Sequence, residues 1–215
     1  MTSTVVILGT GGTIAGRNLA GERHAYKAGE LSAADLVAAL PALAEGGPVQ
    51  AESLAQVDSK DMGFALWQAL AQRVQAHLLR PEVAGVVITH GTDTLEETTY
   101  FLHRVLQADK PVVLTAAMRP ATSLQADGPQ NLLDAVTLAR LGRWPGVQAV
   151  LGGQVFAATD LRKQHGWRVD AFGAGDAGLL GRVQDGQLRA FRELPAASPH
   201  AAAARLPADP AAWPV

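Results

Sequence analysis

Short β-branched runs alternate with helical segments along the first 151 residues, and this alternation most constrains the fold. Strands are predicted at residues 4–8, 49–57, 83–89, 111–115 and 147–151. Helices are predicted between them, at residues 32–40, 61–78, from 94 onwards and at 127–141. Such alternation is typical of an α/β fold, an open, mostly parallel sheet with helices on both of its faces.

The predicted helices begin at residues that can cap them. Ser32 can cap the first helix, which Pro41 stops, and Asp61 can cap the second. The Thr94-x-x-Glu97 spacing fits a capping box at the third. In the second helix, one apolar face is formed by Leu66, Leu70, Val74 and Leu78.

The pattern changes after residue 151. Short strands are predicted around Val155, Leu161 and Phe172 and at 179–183 and 188–191, with Asp185-Gly186 as a hairpin turn. This β-rich end completes a predicted domain at residues 1–194. Residues 195–215 contain five of the twelve prolines and show no strand or helix pattern, so we interpret them as a linker-like tail.

Composition excludes several classes of function. The absence of cysteine excludes disulfides and thiolate chemistry, and the six scattered histidines have no metal-ligand spacing, so we expect no metal and no cofactor. A net charge of −2 without a basic run argues against nucleic acid or an anionic membrane as a partner. No apolar stretch approaches the ~20 residues of a membrane span. No signal peptide pattern follows Met1, and we therefore expect a cytoplasmic protein.

Glycine and threonine concentrate after two predicted strands, at residues 8–16 (LGTGGTIAG) and 88–94 (ITHGTDT). Ligands of open α/β sheets bind at the carboxyl ends of strands. The first segment is not a dinucleotide fingerprint, because Ile14 occupies the position of the last glycine or alanine. Its structural alternative is a plain glycine turn within a long loop, residues 9–30, of a length that is usually functional. The alternative for the second segment is helix capping, although a helix start can also stabilise an oxyanion.

Residues 9–16 (GTGGTIAG) and 89–97 (THGTDTLEE) resemble the two signature motifs of the bacterial-type asparaginase/glutaminase family. Shorter segments that agree lie at residues 58–62, 110–113, 117–120 and 127–129. The resemblance runs from residue 4 to the tail. It implies an amidohydrolase that uses a threonine nucleophile, without a cofactor, to convert L-asparagine to L-aspartate and ammonia.

The resemblance also implies roles for individual residues. Thr13 is the nucleophile, and Tyr26 closes over the site and assists it. Thr92 is the second threonine, Asp93 binds the substrate's α-ammonium group, and Ser59 holds its α-carboxylate.

Three further positions follow from the same resemblance. Lys163 pairs with Asp93 and Thr92, and the backbone of Ala117 lies near the leaving amide. Lys60 stands where better-known members carry glutamine, which puts the preference for asparagine over glutamine in question. The general base stays open between Tyr26, Lys163 and a water molecule, and His90 is interpreted as structural.

Members of the family form homotetramers or homodimers, in which a second, small α/β domain of a neighbouring subunit completes the site. We expect that domain to be absent here and the 215-residue chain to be weakly active or inactive alone. The alternatives are a relative that prefers glutamine and a non-catalytic amino-acid-binding domain. The asparaginase-like subunit of the archaeal glutamyl-tRNA amidotransferase is disfavoured, because no extra N-terminal module or basic surface is present.

Overall fold

A computed structural model describes residues 3–18, 26–194 and 207–213. The helices are α1 (Ala33–Ala38), α2 (Phe64–Leu78), α3 (Leu95–Val105) and α4 (Gly128–Leu141). The first strands are β1 (Thr4–Gly11), β2 (Arg17–Asn18), β3 (Tyr26–Lys27), β4 (Val49–Val57), β5 (Val83–Thr89) and β6 (Pro111–Thr115). The later strands are β7 (Gly146–Leu151), β8 (Gln154–Ala157), β9 (Arg162–Lys163), β10 (Phe172–Gly173), β11 (Gly181–Gln184) and β12 (Gln187–Ala190).

An eight-stranded sheet, in the order β12-β11-β8-β7-β6-β5-β1-β4, forms the centre of the described structure. Neighbouring strands from β4 to β7 are parallel, and those from β7 to β12 are antiparallel. The predicted α/β fold with a β-rich end is therefore confirmed. The small pairs β2–β3 and β9–β10 lie outside this sheet.

The two faces of the sheet bury separate apolar clusters, because successive side chains of a strand point to opposite faces. In β1, Val6 and Leu8 join the cluster that contains Leu70 and Leu102 of α2 and α3. Val5 and Ile7 join the other cluster, which includes Leu36 of α1 and Leu132, Val136 and Leu138 of α4. Helices thus cover both faces, and the inner parallel strands β1, β5 and β6 are mostly apolar and buried.

The segment 9–30 differs from the unstructured loop that the sequence indicated. β1 continues to Gly11, a one-turn 3-10 helix covers Thr13–Ala15, and the described residues that follow pair as β2 and β3. The chain can turn here because Gly11 and Gly12 adopt φ angles of 107° and 77°, a region that other residues avoid. The Gly12 N–H still donates to the carbonyl of Val57, which extends the pairing with β4.

Two predicted caps are wrong. Asp61 does not cap α2, which begins after Gly63; Asp61 instead ends a one-turn 3-10 helix, Ser59–Asp61, that Asp58 caps. Thr94 does precede α3, but no capping box forms there, because its hydroxyl donates to the Ser59 carbonyl at 2.8 Å. In both places the one-turn helix Ser59–Asp61 engages the residue that was expected to cap the longer helix. By contrast, the capping box of Ser32 on α1 is complete.

The C-terminal part of the chain agrees with the sequence prediction at the hairpin turn and differs from it in the tail. Asp185 and Gly186 form the predicted hairpin turn, with φ angles of 51° and 72°. Of the tail, residues 195–206 and 214–215 lie outside the described residues. The expectation of no helical structure is wrong for Pro210–Ala212, a one-turn 3-10 helix. Next to it, the buried ring of Trp213 packs 5.4 Å from Phe64.

In the portion of the chain that the structure describes, no helix is both long enough and apolar enough to span a membrane.

Candidate active site

The two glycine- and threonine-rich segments meet at the carboxyl edge of the sheet, because β1 and β5 are parallel neighbours. A Cβ atom on Gly12 would lie 2.3 Å from the Cα of Gly91, so only glycine permits this approach. A Cβ atom on Gly91 would lie 2.5 Å from Ser59 Oγ. Three segments that are distant in sequence therefore converge on Gly91.

Thr13 and Tyr26 form a hydroxyl pair on the first of these segments. The Thr13 Oγ1 and Tyr26 Oη atoms lie 2.8 Å apart, and either can be the donor. Thr13 is buried, while Tyr26 is 42% exposed on β3. The antiparallel pairing of β2 with β3 places the Tyr26 ring over Gly16, where a Cβ atom would approach it to 2.9 Å. A hydroxyl at this distance can accept or relay the proton of an attacking threonine.

Lys163 connects the second segment to β9. Its Nζ atom donates to Thr92 Oγ1 at 3.0 Å and to Asp93 Oδ1 at 2.5 Å. The lysine side chain is 18% exposed and that of Asp93 is 58% exposed. The backbone N–H of Lys163 donates to the carboxylate of Glu96 in the first turn of α3. The amine is thus held between a hydroxyl and a carboxylate, and the free side of Asp93 can meet a cationic group.

Glu96 is a site residue that the sequence analysis missed. Its carboxylate holds the backbone of Lys163, which lies 67 residues farther along the chain. A signal was present, because acidic residues in the first turn of a helix are common. That signal is also explained by the helix dipole alone, so it did not identify a distant partner.

Ser59 ties a third segment to this cluster. Its Oγ atom accepts a hydrogen bond from the Asp93 N–H at 3.2 Å, and its side chain is almost fully buried. Since the Ser59 hydroxyl accepts there, its own proton stays free to donate to a ligand.

Lys60, the residue after Ser59, is a mostly exposed side chain. Its amine forms an ion pair with Asp58 at 3.4 Å, and its side chain is 67% exposed. Hydrogen bonding to the Asp58 carboxylate raises the pKa of Lys60. The neighbouring carboxylate thus accounts for the direction of this side chain.

Ala117 lies fully buried just beyond β6. A Cβ atom on Gly128 would lie 3.4 Å from the Ala117 Cβ and 2.9 Å from Ile14 Cγ1. Gly128 therefore packs against both Ala117 and Ile14, the residue that follows Thr13. Asp127, predicted only as a helix start, accepts hydrogen bonds from the N–H groups of Met118 and Arg119 at 3.0 and 2.9 Å. The carboxylate therefore holds the loop that follows Ala117.

His90 is enclosed behind the site. Its Nδ1 atom lies 2.7 Å from the Gly91 carbonyl and its Nε2 atom 3.1 Å from Thr98 Oγ1. Complete burial lowers the pKa of His90 to about 4, because a charged imidazolium would lose its hydration. These contacts agree with a structural interpretation of this histidine. Across residues 3–18, 26–194 and 207–213, no group of three or more histidine or acidic side chains is arranged to hold a metal ion.

Comparison with known proteins identifies the family of this chain. The family model described as "Asparaginase, N-terminal" matches residues 4–196. A probable periplasmic L-asparaginase of Haemophilus influenzae is 39% identical over 186 residues, which cover 86% of this chain and 53% of that protein. A glutaminase-asparaginase of Acinetobacter glutaminasificans is 39% identical over 193 residues, 88% of this chain and 58% of that protein.

A solved structure shares the fold. The crystal structure of a probable cytoplasmic L-asparaginase from Campylobacter jejuni superposes with a TM-score of 0.82 at 39% identity, covering 88% of this chain and 59% of that chain. The chain spans about half the length of the curated relatives it matches. The family model covers most of the sequence, and the chain therefore belongs to the asparaginase family, whose N-terminal domain it contains.

Proposed function

We propose that this chain forms the nucleophile-bearing part of an amidohydrolase that converts L-asparagine to L-aspartate and ammonia, with Thr13 as the nucleophile. The observation that carries the proposal is the 2.8 Å contact between the hydroxyls of Thr13 and Tyr26. That pair lies on the segment whose Gly12 abuts Gly91, directly before Thr92 and Asp93. Membership of the asparaginase family supports the reaction class.

The polar groups around Gly91 match the two charges of an α-amino acid. The exposed side of the Asp93 carboxylate suits the α-ammonium group of the substrate. The Ser59 hydroxyl, which accepts from the Asp93 N–H, can donate its own proton to the α-carboxylate. With both ends of the substrate held, its side-chain amide is directed to the hydroxyls of Thr13 and Thr92, where the backbone of Ala117 is proposed to meet the leaving nitrogen.

The proposed reaction has two stages. The Thr13 oxygen attacks the amide carbon and loses its proton, which Tyr26 relays towards the leaving nitrogen; ammonia departs and an ester remains on Thr13. Water then attacks the ester carbon, L-aspartate leaves, and the threonine hydroxyl is restored. The start of α3 offers a partial positive charge for the oxyanion.

Lys163 has a positioning role in this proposal. Its amine donates to Thr92 Oγ1 at 3.0 Å and to Asp93 Oδ1 at 2.5 Å, so it holds both side chains in place. Tyr26 is therefore the proposed proton acceptor, because it contacts the nucleophile directly.

Glutamine is the second candidate substrate. The relative from Acinetobacter glutaminasificans, at 39% identity, is called a glutaminase-asparaginase. Glutamine is longer by one methylene, and an apolar difference of that size changes discrimination by only ~10–200-fold. The ratio of the two activities is part of the test below.

We also propose that the isolated chain of residues 1–215 turns over amides weakly or not at all. The support is its length, about half that of the curated relatives. The division into a domain at 1–194 and a tail at 195–215, the homotetramer or homodimer, and the cytoplasmic location stay predictions.

The test is release of ammonia from L-asparagine and from L-glutamine, together with calorimetric binding of L-aspartate. Thr13→Ala is expected to abolish ammonia release and to retain aspartate binding, whereas Thr13→Ser keeps a hydroxyl and part of the turnover. Unchanged turnover by Thr13→Ala would refute the nucleophile. The same assays are repeated on the chain joined to a second domain from a relative. Aspartate binding without turnover in both forms would favour the non-catalytic alternative. Full turnover by the isolated chain would contradict the proposal of weak activity.

A further inference from the structure

A line of hydrogen bonds runs from α2 to the backbone of Gly91. The indole Nε1 of Trp67 donates to Thr98 Oγ1 at 2.9 Å. Thr98 Oγ1 lies 3.1 Å from His90 Nε2, and His90 Nδ1 lies 2.7 Å from the Gly91 carbonyl oxygen. Thr98 and His90 are both fully buried, so water does not compete for these bonds.

The direction of every bond in the line is determined by its two ends. An indole N–H only donates and a carbonyl oxygen only accepts. His90 must therefore carry its proton on Nδ1, and its Nε2 must accept. Thr98 has a single proton, which goes to Nε2, while its lone pair receives the indole N–H. The three side chains are thus mutually satisfied in one arrangement only.

This arrangement determines the orientation of the peptide between Gly91 and Thr92. The C=O and N–H groups of a trans peptide point in opposite directions. When the Gly91 carbonyl is held on His90, the Thr92 N–H is turned to the opposite side. Little free space surrounds Gly91, since a Cβ atom added there would lie 2.5 Å from Ser59 Oγ and 3.2 Å from the Cα of Gly12. The two residues that follow, Thr92 and Asp93, contact Lys163.

We propose that Thr98 is a positioning residue for the substrate site: through His90, its hydroxyl holds the Gly91–Thr92 peptide in the orientation that places Thr92 and Asp93. The proposal rests on the proposed function, because it assigns Thr92 and Asp93 to substrate binding. Thr98 itself contacts no reacting group. Its effect passes through two hydrogen bonds, and it acts on the site from the interior of the domain.

The chain provides a matched control at the next position. Thr99 lies on the same helix and is also fully buried, but its hydroxyl donates to the Leu95 carbonyl within α3. Thr98→Val and Thr99→Val therefore make the same chemical change at the same depth, and only the first breaks the line to Gly91. Thr98→Ser retains the hydroxyl and should restore it.

The first measurement is calorimetric binding of L-aspartate. Small misplacements of binding groups cost up to ~10²-fold, so Thr98→Val should weaken aspartate binding by about tenfold. Thr99→Val should leave it unchanged, and Thr98→Ser should recover most of the loss. Equal weakening by the two valine variants would mean a general loss of stability and would overturn the proposal.

A second measurement, by NMR, does not depend on function. The ¹⁵N shifts of His90 in the unaltered protein should show the Nδ1–H tautomer. The amide resonances of Thr92 and Asp93 should move in Thr98→Val and stay in place in Thr99→Val. An Nε2–H tautomer, or unmoved amides, would overturn the proposal. If the unaltered protein neither binds aspartate nor releases ammonia, the proposed function fails, and these resonances still decide whether Thr98 positions the peptide.

Discussion

The phenolic oxygen of Tyr26 lies 2.8 Å from the hydroxyl oxygen of Thr13, although 13 residues separate them in sequence. Thr13 lies in the turn that follows β1, and Tyr26 lies on the short strand β3. The contact joins a buried hydroxyl to a partly exposed phenol. Such a pair suits the proposed nucleophilic attack, because the proposed proton acceptor already touches the proposed nucleophile.

Tyr26→Phe removes this phenolic oxygen and retains the ring. Loss of a positioned proton acceptor costs ~10²–10⁴-fold, so kcat should fall by about a hundredfold or more while KM changes little. Steady-state ammonia release measures both constants. Tyr100→Phe is the matched control, because Tyr100 is similarly exposed on α3 and is expected to leave both constants unchanged. Equal kinetics for the two variants would remove Tyr26 from the proton path.

Lys163→Met keeps the length of the side chain and removes its charge. Thr92 and Asp93 lose their shared donor, so L-aspartate binding and turnover should both weaken by more than about tenfold. The control is Lys110→Met, since Lys110 is also half-buried but donates to the Arg80 carbonyl before β6, at the opposite end of the sheet. Parallel losses in both variants, measured per folded molecule, would contradict the assignment.

Lys60→Gln tests the position at which this sequence departs from better-known relatives. The Lys60 amine pairs with Asp58 and is mostly exposed, so its removal should change the asparagine-to-glutamine activity ratio by no more than about twofold. Separate ammonia assays on the two amides measure the ratio. A change of about tenfold or more would show that Lys60 reaches the substrate.

Protonation of His90 should limit stability in acid. Burial lowers the pKa of His90 to about 4 in the folded protein, against ~6.5 in the unfolded chain. Between these values the unfolded state binds a proton and the folded state does not. The free energy of unfolding should therefore decrease as pH falls from about 6.5 to about 4, by about 3 kcal/mol in total.

Urea unfolding at a series of pH values measures this effect. Because carboxylates also titrate in this range, the quantity to compare is the difference between the unaltered protein and His90→Asn. Asparagine can still donate to the Gly91 carbonyl but does not titrate. The difference should depend on pH only between about 4 and 6.5. A constant difference across this window would mean that His90 does not contribute to acid sensitivity.

Much of the fold was predictable because strands and helices leave local patterns. The strands at 49–57, 83–89 and 111–115 have the predicted bounds. The last two are runs of mostly apolar and β-branched residues, which is the local pattern of a buried strand. Helix starts were less predictable. Thr94 and Asp61 are residue types that often cap helices. Here Asp61 is itself part of the one-turn helix Ser59–Asp61, and the Thr94 hydroxyl donates to the carbonyl of Ser59 in that helix.

The sequence by itself determined the α/β architecture and, through two motifs, the family and the residues around Gly12 and Gly91. Only the tertiary structure decided which of these residues touch, and it revealed Glu96, Asp127 and the line from Trp67 to Gly91. The reason is physical. A local pattern reports which side of an element is buried, because that depends on residues a few positions apart. A hydrogen-bond partner 67 or 70 residues away, such as those of Lys163, depends on how whole elements pack.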